Sequence, residues 1–161
     1  MTAKDVLRTF LDPTGSLVVM FTQDLSDQEL LVRPAPKANH IAWQLGHLIS
    51  SESRMTRPVP GAPPVELPPG FLEAHNKEAA ERETGFLGRD QYLTLYRNVR
   101  HATLAALDSL TDADLDKEYT GSMKAFAPTL AKYFLLVGNH ERMHTGQFTV
   151  VRRALGKPVL F

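Results

Sequence analysis

The sequence predicts an all-α protein built on four long helices. Apolar residues recur every three or four positions over four long stretches. Helix start and stop signals bound several of them. No stretch alternates apolar and polar residues well enough to make a strand. A chain of 161 residues matches one ordinary domain, long enough to bury a core without staples.

The first stretch covers residues 3–25, with Leu7, Leu11, Val18, Phe21 and Leu25 on one stripe. Pro13 lies inside it, so a kink or a late start is expected. The second covers residues 39–55, with Asn39 as its N-cap. The third covers residues 90–110, where Tyr92, Tyr96, Val99, Thr103 and Leu110 share a face. The fourth and longest covers residues 128–155. Pro128 suits a first helical turn, because its missing N–H would be unpaired there anyway. Arg152 and Arg153 favour the negative helix end, Gly156 is placed for a left-handed cap, and Pro158 prevents continuation.

A faint repeat relates the two halves. Leu25-Ser26-Asp27-Gln28-Glu29-Leu30 resembles Leu110-Thr111-Asp112-Ala113-Asp114-Leu115, and each follows a long helix. Ser26 with Glu29, and Thr111 with Asp114, have capping-box spacing. Two helical hairpins of similar build are expected. Between the second and third helices, six of the eleven prolines fall in residues 58–69. A long loop within a compact domain often borders a site.

Composition removes several functions. Eighteen basic side chains balance eighteen acidic ones, so the counterion-releasing surplus of a nucleic-acid binder is missing. No apolar run approaches a membrane span, and no secretory pattern opens the sequence. A cytoplasmic protein with no nucleic-acid or membrane partner is expected. There is no cysteine, so any metal is held by His, Asp or Glu.

Six histidines carry the chemistry. His140 and His144 stand four apart on the fourth helix, about 6 Å along the axis and about 40° around it. Both imidazoles reach one point beside the helix. They also lie in the apolar stripe Tyr133, Val137, His140, His144, Phe148, Val151, Leu155. Imidazoles placed there need partners, and a shared divalent metal would satisfy both. The pair resembles a zincin motif only superficially, because the 17 residues after His144 hold no His, Asp or Glu. The third ligand must come from upstream, and His47 on the second helix is the best choice.

Gly46 beside His47 would permit close approach of a neighbouring helix, with Gly146 in the matching role after His144. Gln44 and Gln147 lie near the ligands by helical spacing and could orient a substrate. Trp43, one turn before His47, should wall the site. Glu141 is a possible base, although it points about 100° away from His140. His40 is read as a surface or cap residue, and His75 and His101 as solvated. A plain bundle with buried histidines is the competing reading of the same residues.

The motifs together identify a family. Trp43-x-x-Gly46-His47-Leu48, then His140-x-x-x-His144-x-x-Gln147, then Arg152-Arg153-x-Leu155-Gly156-Lys157-Pro158 resemble the DinB-like (DinB/YfiT-like) superfamily over essentially the whole chain. The Leu-Ser-Asp-Gln-Glu-Leu segment and Arg33-Pro34 fit the same pattern. The resemblance implies an up-down-down-up four-helix bundle. It implies a three-histidine site, His47, His140 and His144, holding Zn²⁺, Ni²⁺ or a similar ion. It further implies metal-dependent chemistry on a small-molecule substrate, such as S-transfer with a low-molecular-weight thiol, or hydrolysis. The alternative is a non-catalytic, metal-binding, stress-associated bundle. A homodimer is expected from the family and from second apolar stripes, such as Val6, Phe10, Leu17 and Met20.

Overall fold

The first long stretch folds as two helices rather than one. In the computed structural model, which describes residues 1–12, 16–158 and 160, α1 spans Ala3–Leu11 and α2 spans Leu17–Thr22. Thr2 and Asp5 close a capping box on α1, and Ser16 caps α2. Pro13, the expected kink, lies outside the described residues. The apolar stripe runs through the break: Leu7, Leu11, Val18, Phe21 and Leu25 are all buried.

α3 spans Ile41–Thr56, and its N-cap is His40 rather than Asn39. The His40 imidazole replaces the expected amide: Nδ1 accepts from the Trp43 N–H at 3.0 Å. The Asn39 carbonyl instead accepts from Gln44 Nε2 at 2.9 Å. The long segment that follows carries a single turn, α4 (Phe71–Ala74), and a 3₁₀ turn over Lys77–Ala79. α5 spans Arg89–Ser109 and α6 spans Leu130–Ala154. Thr129 caps α6, so Pro128 lies just outside the helix rather than in its first turn.

α6 ends as its sequence predicts. Gly156 has φ +68°, a conformation other residues adopt only with strain. The Gly156 N–H donates to the Arg153 carbonyl and the Lys157 N–H to the Arg152 carbonyl, the paired bonds of a Schellman motif. Arg152 does more than complement the helix end. It is buried, paired to the Asp24 carboxylate, and donates to the Phe21 carbonyl, tying α6 to the end of α2.

Both copies of the repeat form their capping boxes. Ser26 and Glu29 open a 3₁₀ turn at Glu29–Leu31, and Thr111 and Asp114 open another at Asp112–Asp116. The described residues are otherwise helix and loop, apart from one antiparallel bridge between Glu118 and Thr129.

The core has two apolar clusters. One gathers Val18, Phe21, Leu45, Ile49, Tyr96, Val99 and Phe148. The other gathers Leu7, Leu11, Met55, Leu107, Tyr133 and Val137. Along α3 the change of cluster falls between Ile49 and Met55; along α5, between Val99 and Leu104; along α6, between Val137 and Phe148. The candidate site lies on α3 and α6 near this join.

Candidate metal centre

Two helices bring three imidazoles together. His47 comes from α3, and His140 and His144 come from successive turns of α6. Their nitrogen donors lie within 4.8 Å of one another. Ring centroids are 5.2 Å apart from His47 to each partner and 4.8 Å between His140 and His144. One small cation fits among three such donors, and imidazole is the usual ligand type for a borderline divalent ion.

The rings are held in the form a metal needs. Burial pushes His144 down to about 3, with His140 and His47 adding repulsion. Burial pushes His47 down to about 4, with His140 the next contribution. Burial lowers His140 as well. All three are neutral near pH 7, with a lone pair available on each ring. In the absence of a cation, no proton would compensate the clustering of these rings at neutral pH.

A neighbour fixes the tautomer of His144. Gln44, fully buried, spends its Nε2 on the Asn39 carbonyl, so its Oε1 faces His144 Nδ1 at 2.9 Å as an acceptor. Nδ1 therefore carries the proton, and Nε2 is left as donor to a cation. This is the supporting bond that metal-ligating histidines usually make. Gln44 thus orients the His144 ring rather than a substrate. Gln147 is exposed.

His47 is braced by Trp43. The Trp43 ring stacks on it, centroids 4.9 Å apart and planes 10° from parallel. The buried indole donates from Nε1 to the Asn76 carbonyl at 2.9 Å, so Trp43 walls the site on that side. The His75 backbone, the weakest of the influences on the His47 pKa, acts upward against burial.

His75 itself is buried, not solvated. Its Nδ1 meets the Phe71 carbonyl and its Nε2 the Tyr92 hydroxyl, both at 2.7 Å. It also explains Gly46. A Cβ there would lie 1.9 Å from the His75 ring, so Gly46 makes room for an imidazole from the long segment, not for a helix. Gly146 has nothing within 4 Å of that position and plays no matching part. The close-packed glycine of α6 is Gly138, against the Phe10 ring. His40 is a cap residue as expected, but fully buried, with Nε2 3.0 Å from the Arg82 carbonyl. His101 is exposed, as expected.

Glu141 is no base for this site. It points into the core, where the Arg100 guanidinium donates to it at 2.7 Å, the Tyr96 hydroxyl at 2.9 Å and the Ser16 hydroxyl at 3.0 Å. Arg100 also makes a two-pronged pair with Glu52, at 2.8 and 2.9 Å, and donates to the Leu11 carbonyl. Thr103 donates to Glu52 at 2.8 Å. Burial by itself would lower the Arg100 pKa, and the Glu52 charge beside it reverses that and holds it raised. These residues form a polar layer at the join of the two apolar clusters. The composition and motif reading missed it. The signal was Arg100 between Tyr96, Val99 and Thr103 on the apolar face of α5.

Helices as the regular elements of the described residues, with three convergent imidazoles, define a class of helical candidate metal proteins. The family model for the DinB superfamily matches residues 11–148, a span that includes His47, His140, His144, Gln44 and the polar layer. The chain belongs to the DinB superfamily, whose members are generally metal-binding. No curated protein matches it significantly.

Proposed function

We propose that His47, His140 and His144 hold one divalent ion, Zn²⁺ or Ni²⁺, and that the protein is a metal-dependent enzyme acting on a small molecule. Thiol S-transfer or hydrolysis is the reaction class. The observation that carries this is the set of three neutral imidazoles within one ion's reach, one of them fixed in tautomer by Gln44. Neutral ligands leave an ion its full charge, and such an ion acidifies a bound thiol or water near neutral pH. A chain without cysteine could use a thiol cosubstrate that way.

The chain's own residues supply support rather than acid–base chemistry. Gln44 keeps the His144 proton away from the ion side. Trp43 excludes water from one side of His47. Glu141 is consumed by Arg100. The frame fitting this reading is an up-down-down-up bundle whose arms are α1 with α2, α3, α5 and α6. We extend the reading to a cytoplasmic homodimer; exposed Leu135, Met143 and Val150 on α6 are apolar surface that a second copy would cover.

The test combines native metal analysis of tag-free protein with turnover of electrophiles and esters in the presence of several small thiols. The expected result is about one ion per chain and turnover that disappears in His140→Ala. Stoichiometric metal without turnover of any pair would favour the non-catalytic alternative. Light scattering at micromolar concentration checks the dimer, and a strictly monomeric mass overturns it.

A further inference from the structure

A cavity of about 1010 Å³ lies between α3, the proline-rich segment and α4. That volume is at the upper end for small-molecule sites. His47 lines it; His140 and His144 do not. Its α3 wall carries a helical stripe of His47, Ser50, Ser51 and Arg54, at the three- and four-residue steps that share a face, with Ser53 and Thr56 beside it and Arg57 at the C-cap. Opposite are apolar side chains, including Val65, Leu67 and Phe71.

Two features of this wall lack a hydrogen-bond or ion-pair partner among the described residues. Ser50 is 8% exposed, and its hydroxyl has no hydrogen-bond partner among the described residues. A buried hydroxyl without a partner is costly. Arg54 and Arg57, at the exposed end of the wall, make no ion pair among the described residues, although Glu73 and Glu78 also line the cavity. Lys77 adds a third cation.

We propose that this cavity binds an organic acid with an apolar end beside His47, a hydrogen-bonding group at Ser50 and its carboxylate on Arg54 and Arg57. Helical rise sets the span: His47 to Arg54 is seven residues, about 10 Å, with Ser50 near the middle. That this acid is the substrate rests on the metal-centre reading above; that it binds does not.

N-Benzoylglycine has this pattern: a phenyl ring, a central amide and a carboxylate. Its binding to the full chain is measured by calorimetry, beside neutral N-benzoylglycinamide and cationic N-(2-aminoethyl)benzamide. The expected result is saturable 1:1 binding of the acid, at least about 10-fold tighter than either analogue, as a charge-assisted contact implies. The Arg54→Gln/Arg57→Gln double variant removes that preference. Ser50→Ala weakens all three probes by a smaller factor. Arg97→Gln, an exposed α5 cation outside the cavity, changes nothing. The arginines are exposed and make no ion pair among the described residues, so an unchanged thermal melt is expected of the double variant.

Equal binding of acid and amide, tighter binding of the amine, unsaturable binding, or an acid affinity unmoved in the double variant would each overturn the proposal. Zn²⁺ stoichiometry measured on the same samples separates the two readings. Acid binding without metal binding keeps the cavity and removes the metal centre, and the reverse result removes only the cavity.

Discussion

His140 and Glu141 are chain neighbours on α6, and they serve opposite kinds of polar cluster. Glu141 enters a network in which its carboxylate accepts from Arg100, Tyr96 and Ser16, and the arginine's remaining donors go to Glu52 and the Leu11 carbonyl. His140 enters a cluster of three neutral rings whose donors converge on one point. The first cluster is complete without any ligand. The second has lone pairs left over. A buried polar group satisfied by its own chain is architecture; convergent imidazole donors make a candidate site.

The largest expected effect breaks the first cluster. Arg100→Leu leaves Glu52 and Glu141 facing each other without their shared cation. Removing one member of a buried ion network typically costs about 3–5 kcal/mol, a large part of a domain's stability. Urea unfolding should show that loss. A change below about 1 kcal/mol would mean that the layer is open to water, since only exposed pairs are worth so little.

The second cluster should respond in metal affinity rather than stability. Gln44→Leu removes the acceptor that holds the His144 tautomer, and loss of such a partner costs roughly 10–100-fold in affinity. Competition titration with a chromogenic chelator measures it. Unchanged affinity would make Gln44 a packing residue only.

The two clusters should also differ with pH. His47, His140 and His144 have folded pKa values below their ordinary 6.5. Between that value and the folded ones, about 4 for His47 and about 3 for His144, the unfolded chain binds more protons than the folded one. The stability of metal-free protein is therefore fully expressed above pH 6.5 and falls as pH drops through this window. His40 and His75, also lowered by burial, contribute with the same sign. Replacing His47 and His144 together with Gln should flatten the slope of unfolding free energy between pH 6.5 and 4. An undiminished slope would place the titrating groups elsewhere.

The smallest effect is optical. Trp43 is the only tryptophan and stacks on His47, so Co²⁺ should quench its emission in a saturable, one-site manner, and Zn²⁺ should reverse the quenching. His101→Ala, on an exposed position, should leave the curve unchanged. Saturable Co²⁺ binding with constant emission would separate the indole from the ion.

The helical class and the histidine cluster were legible because both follow from local periodicity. A period near 3.6 placed α3, α5 and α6 to within one or two residues, and the same rule put His140 and His144 on one side of α6. The residues misread are those whose surroundings come from distant segments. His75 looks solvated beside Asn76, Lys77 and Glu78, yet the ring fills the gap left by Gly46. His40 takes the cap that Asn39 would take by propensity, because the buried start of α3 selects an imidazole able to reach the Arg82 carbonyl as well. Glu141 looks available from its spacing, and only the packing of α5 against α3 supplies the Arg100 that claims it.

The most direct test of the account is Zn²⁺ titration of metal-free protein by calorimetry, for the native chain and for His47→Ala, His140→Ala and His144→Ala. The account predicts one ion per native chain. It predicts an affinity loss in each variant exceeding the roughly 10–100-fold that a lost supporting partner costs, with no comparable loss in His101→Ala. Native affinity retained in His47→Ala would contradict it, because α3 would then contribute nothing to the ion and the convergence of the two helices would be packing alone.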